Sequence, residues 1–585
     1  MTPAETPIPY APIERHAVIG DRATAALVSA DGTIDWLCLP LYGSEPVLAS
    51  LIDAASGGYF RFGPAEHAWG TQAYVDATAV LETTFQSADG GELVATDAMI
   101  LPSARAHEAG SSQAIVRHLA CRGGAARCVF AFRPRRGDGL HVWCSAGRAE
   151  SGVLDFTLRA GEEAWAVLSF GDASSWSEAR ARASSDETIA HWRRFAAGIE
   201  RRDGRGGRVL RSLLTIHLLG SARNGSVVAA ATTSLPERIG GDLNYDYRLS
   251  WIRDSSLAVE ALALHGDLDS AQRYLDWLVG LEASGDPPLR VVYKAEGDGD
   301  PVERVRGDFA GYRGSGPVRT GNRACKQSQL GAFGFVADCL ATYFECGGSW
   351  NDRYFQLLAR IADHGARHWR EPDNGIWEIP TMRRHVSSLV MCWVALDRAV
   401  TVAEKWGRPE RARGWRRERD ALRADVLEHG YHAGLGAFRH AYDVDGLDAS
   451  SLLVPITGFL APDDPRVAST VDRIARELTI DGHVHRYDPK VVLGSEALPF
   501  GEHEPSFLLC TCWLATAYAL AGKTALAEAA LARVERCGGS LGVFPEGVDA
   551  RSGALRGNYP LLFTHAEYLR AVRAIERAPA SRRVR

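Results

Sequence analysis

The sequence lacks an uninterrupted run of about 18 apolar residues, the length that a membrane-spanning helix requires. Its start, MTPAETPIPYAPIERH, lacks the cationic stretch followed by apolar residues that is typical of a secretory signal. No basic stripe stands out, and the formal net charge is −6 with a pI near 6.3. We therefore expect a cytoplasmic protein that binds neither a membrane nor nucleic acid.

The cysteines lack a second pair at the spacing of a zinc motif. There are 11 of them, and several lie in apolar segments, such as Cys392 in VMCWVAL and Cys510 and Cys512 in FLLCTCWL. Reduced cysteines packed in a cytosolic core are the favoured interpretation, and a metal pair at 510–512 is the alternative. The prediction is no metal site and no cofactor.

The N-terminal third has the pattern of a β-rich domain. The segments ARCVFAFR (126–133), VLDFTLR (153–159) and EAWAVLSF (163–170) are short and apolar or partly alternating, and glycine-rich turns separate such segments. Short strands with frequent turns predict a β-sandwich over residues 1–171. Residues 172–207 combine a Ser/Ala/Arg/Glu stretch, a helical patch and DGRGGR, and these features predict a linker that contains a helix.

The remainder of the chain has helical periodicity. About twelve helical segments follow residue 208, joined by alternately short and long loops. This number fits a double-layered α/α barrel over residues 208–585, although an open helical array would also satisfy the count. The expected fold class is thus multidomain β + α, a β-sandwich followed by an (α/α)6 barrel.

Two long loops each carry a glutamate in an apolar setting. In EPDNGIWEIP (371–380) an Asn374-Gly375 turn precedes Trp377 and Glu378, and in LGVFPEGVD (541–549) Glu546 follows a Phe-Pro pair. Glycoside hydrolysis needs one protonated and one ionised carboxyl group. Trp377 would disfavour the charged form of Glu378 and raise its pKa. The alternative is that either glutamate lies on the surface, because the chain has 72 acidic residues.

A third segment, GGDLNYDYRLSWIRDSS (240–256), interleaves aromatic and charged residues. The faces of Tyr247 and Trp251 suit the apolar faces of a sugar, and a pair such as Arg253 and Asp254 suits vicinal hydroxyls, which both donate and accept. The alternative is that Asp254 caps a helix and that the aromatic side chains are buried.

Six segments in order resemble glycoside hydrolase family 15, the bacterial glucoamylase and trehalase-like group. The segments are IERHAVIGDRATAALVSADGTIDWLCLP (13–40), LPERIGGDLNYDYRLSWIRDSSL (235–257), GYRGSGPVRTGN (311–322), DNGIWE (373–378), PEGVD (545–549) and GNYPLLFTH (557–565). The resemblance implies the β-sandwich and (α/α)6 barrel, and exo cleavage from a non-reducing glucose end with inversion. It also implies that Glu378 is the general acid and Glu546 the general base.

The resemblance also implies which residues bind the sugar. Trp251, Arg253 and Asp254 would hold the terminal glucose, and Tyr247 and Thr564 would lie near the catalytic water and base. The full set of expected substrate-binding residues is Tyr247, Trp251, Arg253, Asp254, Trp377, Thr564 and His565.

Departures from the family pattern lie where leaving-group contacts are expected. Pro380 and Leu389 replace the usual Arg and Lys, and LPLYGS (39–44) stands where relatives tend to have L-P-R-F-D-S. The main hypothesis is an inverting exo-acting α-glucoside hydrolase that releases β-glucose from a short α-glucan, isomalto-oligosaccharides included. An α,α-trehalase is the alternative within the family.

Two further hypotheses come from other classes. A catalytically inactive carbohydrate-binding protein is disfavoured because both glutamates are present, and a phosphorylase is disfavoured because Glu546 would repel phosphate. The expected partner in every case is an oligosaccharide or a disaccharide. The oligomeric state is left open, a homo-oligomer included.

Overall fold

A computed structural model describes residues 9–86, 91–101, 113–149, 152–171, 175–199, 205, 207–281, 285–297 and 299–578. Within these ranges, strands dominate up to residue 170 and helices dominate from residue 178. The predicted order of a β-rich region followed by a helical one is confirmed. The boundaries proposed above, 1–171, 172–207 and 208–585, stay a prediction.

The N-terminal region is built from antiparallel strands. They are β1 (His16–Gly20), β2 (Ala25–Ser29), β3 (Thr33–Cys38), β4 (Pro46–Leu48), β5 (Gly58–Pro64), β6 (Thr71–Tyr74), β7 (Leu81–Gln86), β8 (Glu92–Met99), β9 (Gln113–Gly123), β10 (Ala125–Pro134), β11 (Leu140–Cys144), β12 (Val153–Arg159) and β13 (Glu163–Phe170). One sheet has the order β1-β2-β3-β5-β10-β12, with β4 paired to β3, and the other has the order β11-β13-β9-β8-β7-β6.

The two sheets bury a shared apolar core, as a sandwich requires. In β7, Leu81, Thr83 and Phe85 are buried while the residues between them are more exposed, which is the period of two of a strand with one covered face. Phe60 and Phe62 from the first sheet belong to the same buried cluster as residues of the second sheet. The cluster therefore lies between the two layers.

The helices form a second region. They are α1 (Glu178–Gly198), α2 (Gly207–Leu219), α3 (Ile252–Leu264), α4 (Leu268–Leu281), α5 (Ala332–Glu345), α6 (Asp352–His368), α7 (Val386–Lys405), α8 (Pro409–His429), α9 (Leu453–Ile456), α10 (Pro465–Glu477), α11 (Pro489–Val492), α12 (Leu508–Leu520), α13 (Thr524–Cys537) and α14 (Leu562–Arg577). Helix α1, in the predicted linker, contacts β8 and β13 of the sandwich.

Twelve of these helices, α2 to α10 and α12 to α14, alternate between two concentric layers. The inner layer is α3, α5, α7, α9, α12 and α14; each contacts the next, and α14 contacts α3, so the ring closes. The outer layer is α2, α4, α6, α8, α10 and α13. The closed ring is the predicted (α/α)6 barrel, and it excludes the open helical array.

Two of the inner helices, α7 and α12, are largely apolar because other helices surround them. In α12, every residue from Leu508 to Ala519 is buried. Helix α7 is long and apolar enough by composition to cross a membrane, yet most of it is buried, against α5, α6 and α8 among others. It is a core helix of the barrel.

Short strands in the barrel loops were not predicted from the sequence. They are β14 (Leu249–Trp251), β15 (Val292–Lys294), β16 (Arg304–Arg306), β17 (Val318–Thr320), β18 (Tyr431–His432), β19 (Ala437–Ala441), β20 (Val444–Leu447), β21 (Thr479–Ile480), β22 (His483–Val484), β23 (Ser506–Phe507), β24 (Gly547–Val548) and β25 (Leu555–Arg556). At two to five residues each they are too short to show a period of two. They pair into small sheets that fix the loops.

The sandwich and the barrel are joined through a buried ion pair. Arg248 donates to Asp246 through Nε at 2.9 Å and through its terminal nitrogen at 2.8 Å, and the side chains of both are almost fully buried. The same guanidinium reaches the sandwich, where it donates to the carbonyl of Ser44 at 3.0 Å. The Trp36 indole and the Tyr42 hydroxyl reach the other way, donating to backbone carbonyls of the barrel region.

We predict that Arg248→Ala lowers the free energy of unfolding by about 3–5 kcal/mol, because it leaves the Asp246 carboxylate buried without its partner. Denaturant unfolding at neutral pH measures the change. Arg408→Ala is the matched control, since Arg408 pairs with Asp352 at 3.1 Å on the surface and such pairs contribute below about 1 kcal/mol. Equal losses in the two variants would show that the buried pair does not hold the regions together.

Candidate active site

A cavity of about 990 Å³, including the part open to solvent, lies at one end of the barrel. Its walls come from segments that precede or begin inner helices: Trp251 before α3, Glu378 before α7, Phe507 before α12 and Leu561 before α14. The predicted site residues that line it are Tyr247, Trp251, Arg253, Asp254, Trp377, Glu378 and Glu546. The closed ring therefore brings together two glutamates that are far apart in the sequence.

Glu378 is held in an unusual backbone conformation. Its φ is 60°, in the left-handed region that a residue with a side chain rarely adopts, and such strain persists only where the surroundings enforce it. The Gln327 side-chain amide donates to the Glu378 carbonyl at 3.0 Å, and the Trp251 indole donates to its carboxylate at 2.8 Å. The carboxyl group is thus aimed into the cavity by a fixed turn.

The predicted Asn-Gly turn precedes Glu378. The Asn374 side chain bridges the turn, because its amide donates to the Ile379 carbonyl at 2.9 Å and its oxygen accepts from the Ser328 N–H at 3.2 Å. Gly375 has a φ of 68°, and a Cβ there would meet the His385 ring at 2.8 Å. A glycine is therefore required at this position.

Glu546 is buried and held by two donors. Its carboxylate accepts from the Asn558 N–H at 3.0 Å and from the Tyr247 hydroxyl. Burial raises the pKa of Glu546 to about 7, and the hydrogen bonds from Tyr247 and Asn558 oppose that rise. A carboxyl group with a pKa near neutrality is suited to general base catalysis.

Arg253 and Asp254 form a buried pair on the cavity wall. Arg253 donates from Nε to Asp254 at 2.6 Å and from a terminal nitrogen to the Ile376 carbonyl at 3.1 Å, and its other terminal nitrogen lies 3.7 Å from the Glu378 carboxylate. Burial raises the pKa of Asp254, and Arg253 opposes the rise. The residue at the N-cap of α3 is Trp251, so the alternative in which Asp254 caps the helix is wrong.

Sequence reasoning missed a charged cluster that contributes another part of the cavity wall. Arg486 donates to Glu504 and, at 3.2 Å, to Glu237, and all three side chains are largely buried. Glu237 and Arg486 line the cavity. Two sequence signals were available: Glu237 lies in the family-like segment 235–257, and the long loop between α10 and α12 is dense in charged and aromatic residues, HRYD (485–488) and EHE (502–504).

Trp377 has a partner that the sequence did not reveal. Its indole N–H donates to the Asp448 carboxylate at 2.9 Å, and Asp448 also contacts the His440 imidazole at 2.6 Å. The Arg486 guanidinium lies 5.6 Å from the centre of a Trp377 ring. The aromatic face is therefore fixed between Asp448 and the charged wall.

Among the described residues, Thr564 and His565 do not line the cavity. Thr564 donates to the Pro545 carbonyl at 3.0 Å, and the His565 imidazole accepts from the Phe544 N–H at 3.1 Å. Both side chains are buried and hold the segment that leads into Glu546. Both residues therefore contact the segment that carries Glu546 and lie outside the cavity lining.

The departures from the family pattern fall in different places. Pro380 lines the cavity beside the turn that carries Glu378. Leu389 is buried within α7, and Gly43 lies near the Glu296 carboxylate, so among the described residues neither belongs to the cavity wall. Of these three positions, only Pro380 therefore contributes to the surface of the cavity.

Comparisons with known proteins agree with this architecture. Residues 205–536, more than half of the chain, match the family model described as glycosyl hydrolases family 15, and residues 9–154 match the trehalase-like N-terminal model. The trehalase of Mycobacterium tuberculosis is 33% identical over 97% of this chain and 90% of that protein. The isomaltose glucohydrolase of Kribbella flavida is 26% identical over 55% of this chain and 83% of that protein.

Solved structures support the same fold. A bacterial glucoamylase complexed with acarbose superposes with a TM-score of 0.68 at 13% identity, covering 98% of this chain and 96% of that chain. At that level of identity the likeness shows the arrangement of β-sandwich and helical barrel alone.

We predict that Tyr247→Phe moves the acidic limb of the pH profile of kcat/KM to higher pH by about one unit. The hydroxyl stabilises the ionised form of Glu546, and a hydrogen bond to a charged group contributes roughly 1.5 kcal/mol. Its loss raises the pKa of Glu546 further, so a higher pH is needed to ionise Glu546. Initial rates at low substrate concentration between pH 5 and 9 measure the shift.

Tyr245→Phe is the control for this change. The Tyr245 hydroxyl accepts from Arg323 at 3.1 Å on the same cavity wall and makes no bond to Glu546. An acidic limb that moves in both variants, or in neither, would contradict the assigned bond between Tyr247 and Glu546.

Proposed function

We propose α,α-trehalose as the substrate of this chain, which belongs to glycosyl hydrolase family 15. The proposal rests on one observation: the cavity that contains Glu378 and Glu546 is also lined by the charged pair Glu237 and Arg486. In this arrangement the terminal glucose binds against Trp251, Arg253 and Asp254. The departing glucose then lies against the charged wall.

The chemistry of the wall suits a small leaving sugar. A glucose ring presents hydroxyls that both donate and accept, and a carboxyl group beside a guanidinium offers an acceptor and donors at once. Burial raises the pKa of Glu237 well above its usual range, and Arg486 opposes that rise.

The full-length relatives support trehalose over the main hypothesis from the sequence, which placed short α-glucans first. The trehalase of Mycobacterium tuberculosis aligns with both regions of the chain, whereas the isomaltose glucohydrolase relative aligns with about half of it. The match of residues 9–154 to a trehalase-like N-terminal model points the same way. An expected partner is therefore a disaccharide.

The proposed mechanism divides the work between the two glutamates. Glu378 gives its proton to the glycosidic oxygen, and the ionised Glu546 removes a proton from the water that attacks the anomeric carbon. Inversion requires room for that water, so the carboxyl groups should lie roughly 6.5–9.5 Å apart. Tyr247 stabilises the ionised base, and Trp251 keeps the acid directed at the leaving oxygen.

The two hypotheses from other classes are disfavoured by the same cavity. A protein that only binds sugar has no need of two carboxyl groups facing one bond, one of them with a pKa of about 7. A phosphorylase must admit a phosphate, and both Glu546 and Glu237 line the space it would occupy. Hydrolysis by water is therefore the reaction that we propose.

We predict the highest kcat/KM for trehalose in a panel that also contains maltose, isomaltose and soluble starch. Release of glucose, measured with a coupled glucose assay, ranks the substrates, and Glu546→Gln protein provides the background rate. A higher kcat/KM for isomaltose or starch than for trehalose would overturn the substrate while leaving the family membership intact.

The anomers released from trehalose test the stereochemistry. With inversion, the attacked ring becomes β-glucose and the departing ring leaves as α-glucose, so the two anomers appear in equal amounts before mutarotation. With retention, both are α-glucose. Proton NMR during the first turnovers distinguishes the outcomes, and α-glucose alone would contradict the role of Glu546 as a base.

We predict that Glu237→Gln lowers kcat/KM for trehalose by at least about tenfold, because the change replaces an acceptor oxygen by a donor and leaves a buried hydrogen-bond partner unsatisfied, at roughly 1–3 kcal/mol. An aryl α-glucoside with an activated leaving group, which has no leaving sugar, should change less than about threefold. Glu303→Gln is the matched control; Glu303 lies 3.5 Å from Arg319, outside the cavity lining. Equal losses on both substrates would place Glu237 away from the leaving sugar.

A further inference from the structure

We propose that Asp286, His364 and His368 form a binding site for a divalent transition-metal ion, Zn²⁺ in particular, on the outer layer of the barrel. Nothing in the sequence analysis anticipated it, since no metal site was expected there. Nitrogen or oxygen atoms from all three side chains lie within 4.8 Å of one another. The site is separate from the cavity described above, because none of its residues lines that cavity.

The two histidines are placed by helix geometry. His364 and His368 are four residues apart in α6, so they lie on the same face one turn apart. Their ring centroids are 4.7 Å apart, and the Phe333 ring packs against His364 at 4.9 Å with its edge. The pair is therefore held in one orientation by packing from α5.

The third group arrives from the loop between α4 and β15. The Asp286 carboxylate contacts Nδ1 of His364 with one oxygen and lies 3.0 Å from Nε2 of His368 with the other. Arg360 of α6 donates to the Gly285 carbonyl at 2.6 Å and holds this loop against the helix. Ligands of a tetrahedral ion with bonds of roughly 2.1 Å are about 3.4 Å apart, so only small side-chain movements are needed.

Glu371 supports one histidine in the way common in metal sites. Its carboxylate lies 2.9 Å from Nδ1 of His368, the ring atom opposite the nitrogen that faces Asp286. A carboxylate behind a histidine fixes the ring and increases the basicity of the ligating nitrogen. Imidazole and carboxylate together suit zinc and neighbouring divalent ions, and the three protein groups would leave a fourth position for water.

The positively charged side chain of Arg367 would compete with a bound metal ion for the Asp286 carboxylate. Arg367 donates to the Asp286 carboxylate at 2.8 Å, at the oxygen that also faces His368. Its side chain is more than half exposed, so it can turn away when an ion takes its place. Removing it should therefore strengthen metal binding, whereas a cluster that is only a hydrogen-bonded network would gain no affinity for an ion.

A bound ion would tie α6 to the loop that leads into β15. That strand pairs with β14, which contains Trp251, and the Val291 carbonyl accepts from the Ile252 N–H at 3.0 Å. The expected consequence is a gain in thermal stability, because a ligand that binds only the folded state stabilises it by mass action.

Titration of the chelator-treated full chain with Zn²⁺, followed by calorimetry and by Tm, tests the proposal. We expect one ion per chain and a raised Tm. His368→Gln and Asp286→Asn should each weaken binding at least 100-fold, Glu371→Gln about tenfold, and Arg367→Gln should tighten it.

His429→Gln is the matched control, because His429 lies 3.6 Å from Asp425 one turn away on α8 without a second histidine in that pair. It should bind the ion as the unchanged chain does. Absence of binding at micromolar Zn²⁺, or equal affinity in His368→Gln, Asp286→Asn and the unchanged chain, would overturn the site. Co²⁺ should give visible absorption bands that the same two variants lack.

Discussion

The buried pair of Arg248 and Asp246 holds the geometry on which the cavity depends. Asp246 accepts from Arg248 and, at 3.0 Å, from the Gly321 N–H, while Arg248 reaches into the sandwich. Tyr247 lies between them in the chain, and its hydroxyl donates to Glu546. Four residues after Tyr247, the Trp251 indole donates to Glu378, so one short segment orients both carboxyl groups. The sandwich is therefore part of the framework of the site.

Burial of a carboxyl group in the cavity raises its pKa and, at the same time, lowers the stability of the fold. Burial raises the pKa of Glu546 to about 7, and the folded chain then binds a proton more readily than the unfolded chain does. Because the ionised form is disfavoured in the folded state, this residue destabilises the fold increasingly as the pH rises from about 4.5, the ordinary value, to about 7. Glu378 adds backbone strain at a φ of 60°. Functional sites commonly contain residues that lower the stability of the fold in this way, and the surrounding structure holds them in place.

The sequence predicted what depends on local pattern or on a family motif. Alternation and turns indicated the sandwich, helical periodicity indicated a helical region that the family resemblance made a barrel, and the motifs around Glu378 and Glu546 located the two carboxyl groups. Glu237 and Arg486 were missed because the chain brings them together only when the ring closes. Thr564 was expected near Glu546 and among the substrate-binding residues; it does lie beside the segment of Glu546, but motif adjacency cannot distinguish a residue that faces the cavity from one that supports it from behind. The short strands were missed because two to five residues carry too little periodicity.

The division of labour between the two glutamates is the central claim, and leaving-group dependence tests it most directly. The measurement is kcat for Glu378→Gln and Glu546→Gln with trehalose and with an aryl α-glucoside that needs little protonation to depart. The account predicts that Glu378→Gln is severely impaired on trehalose and recovers most of its rate on the aryl glucoside, whereas Glu546→Gln is slow on both. Recovery by Glu546→Gln in place of Glu378→Gln, or equal losses on both substrates in both variants, would contradict it.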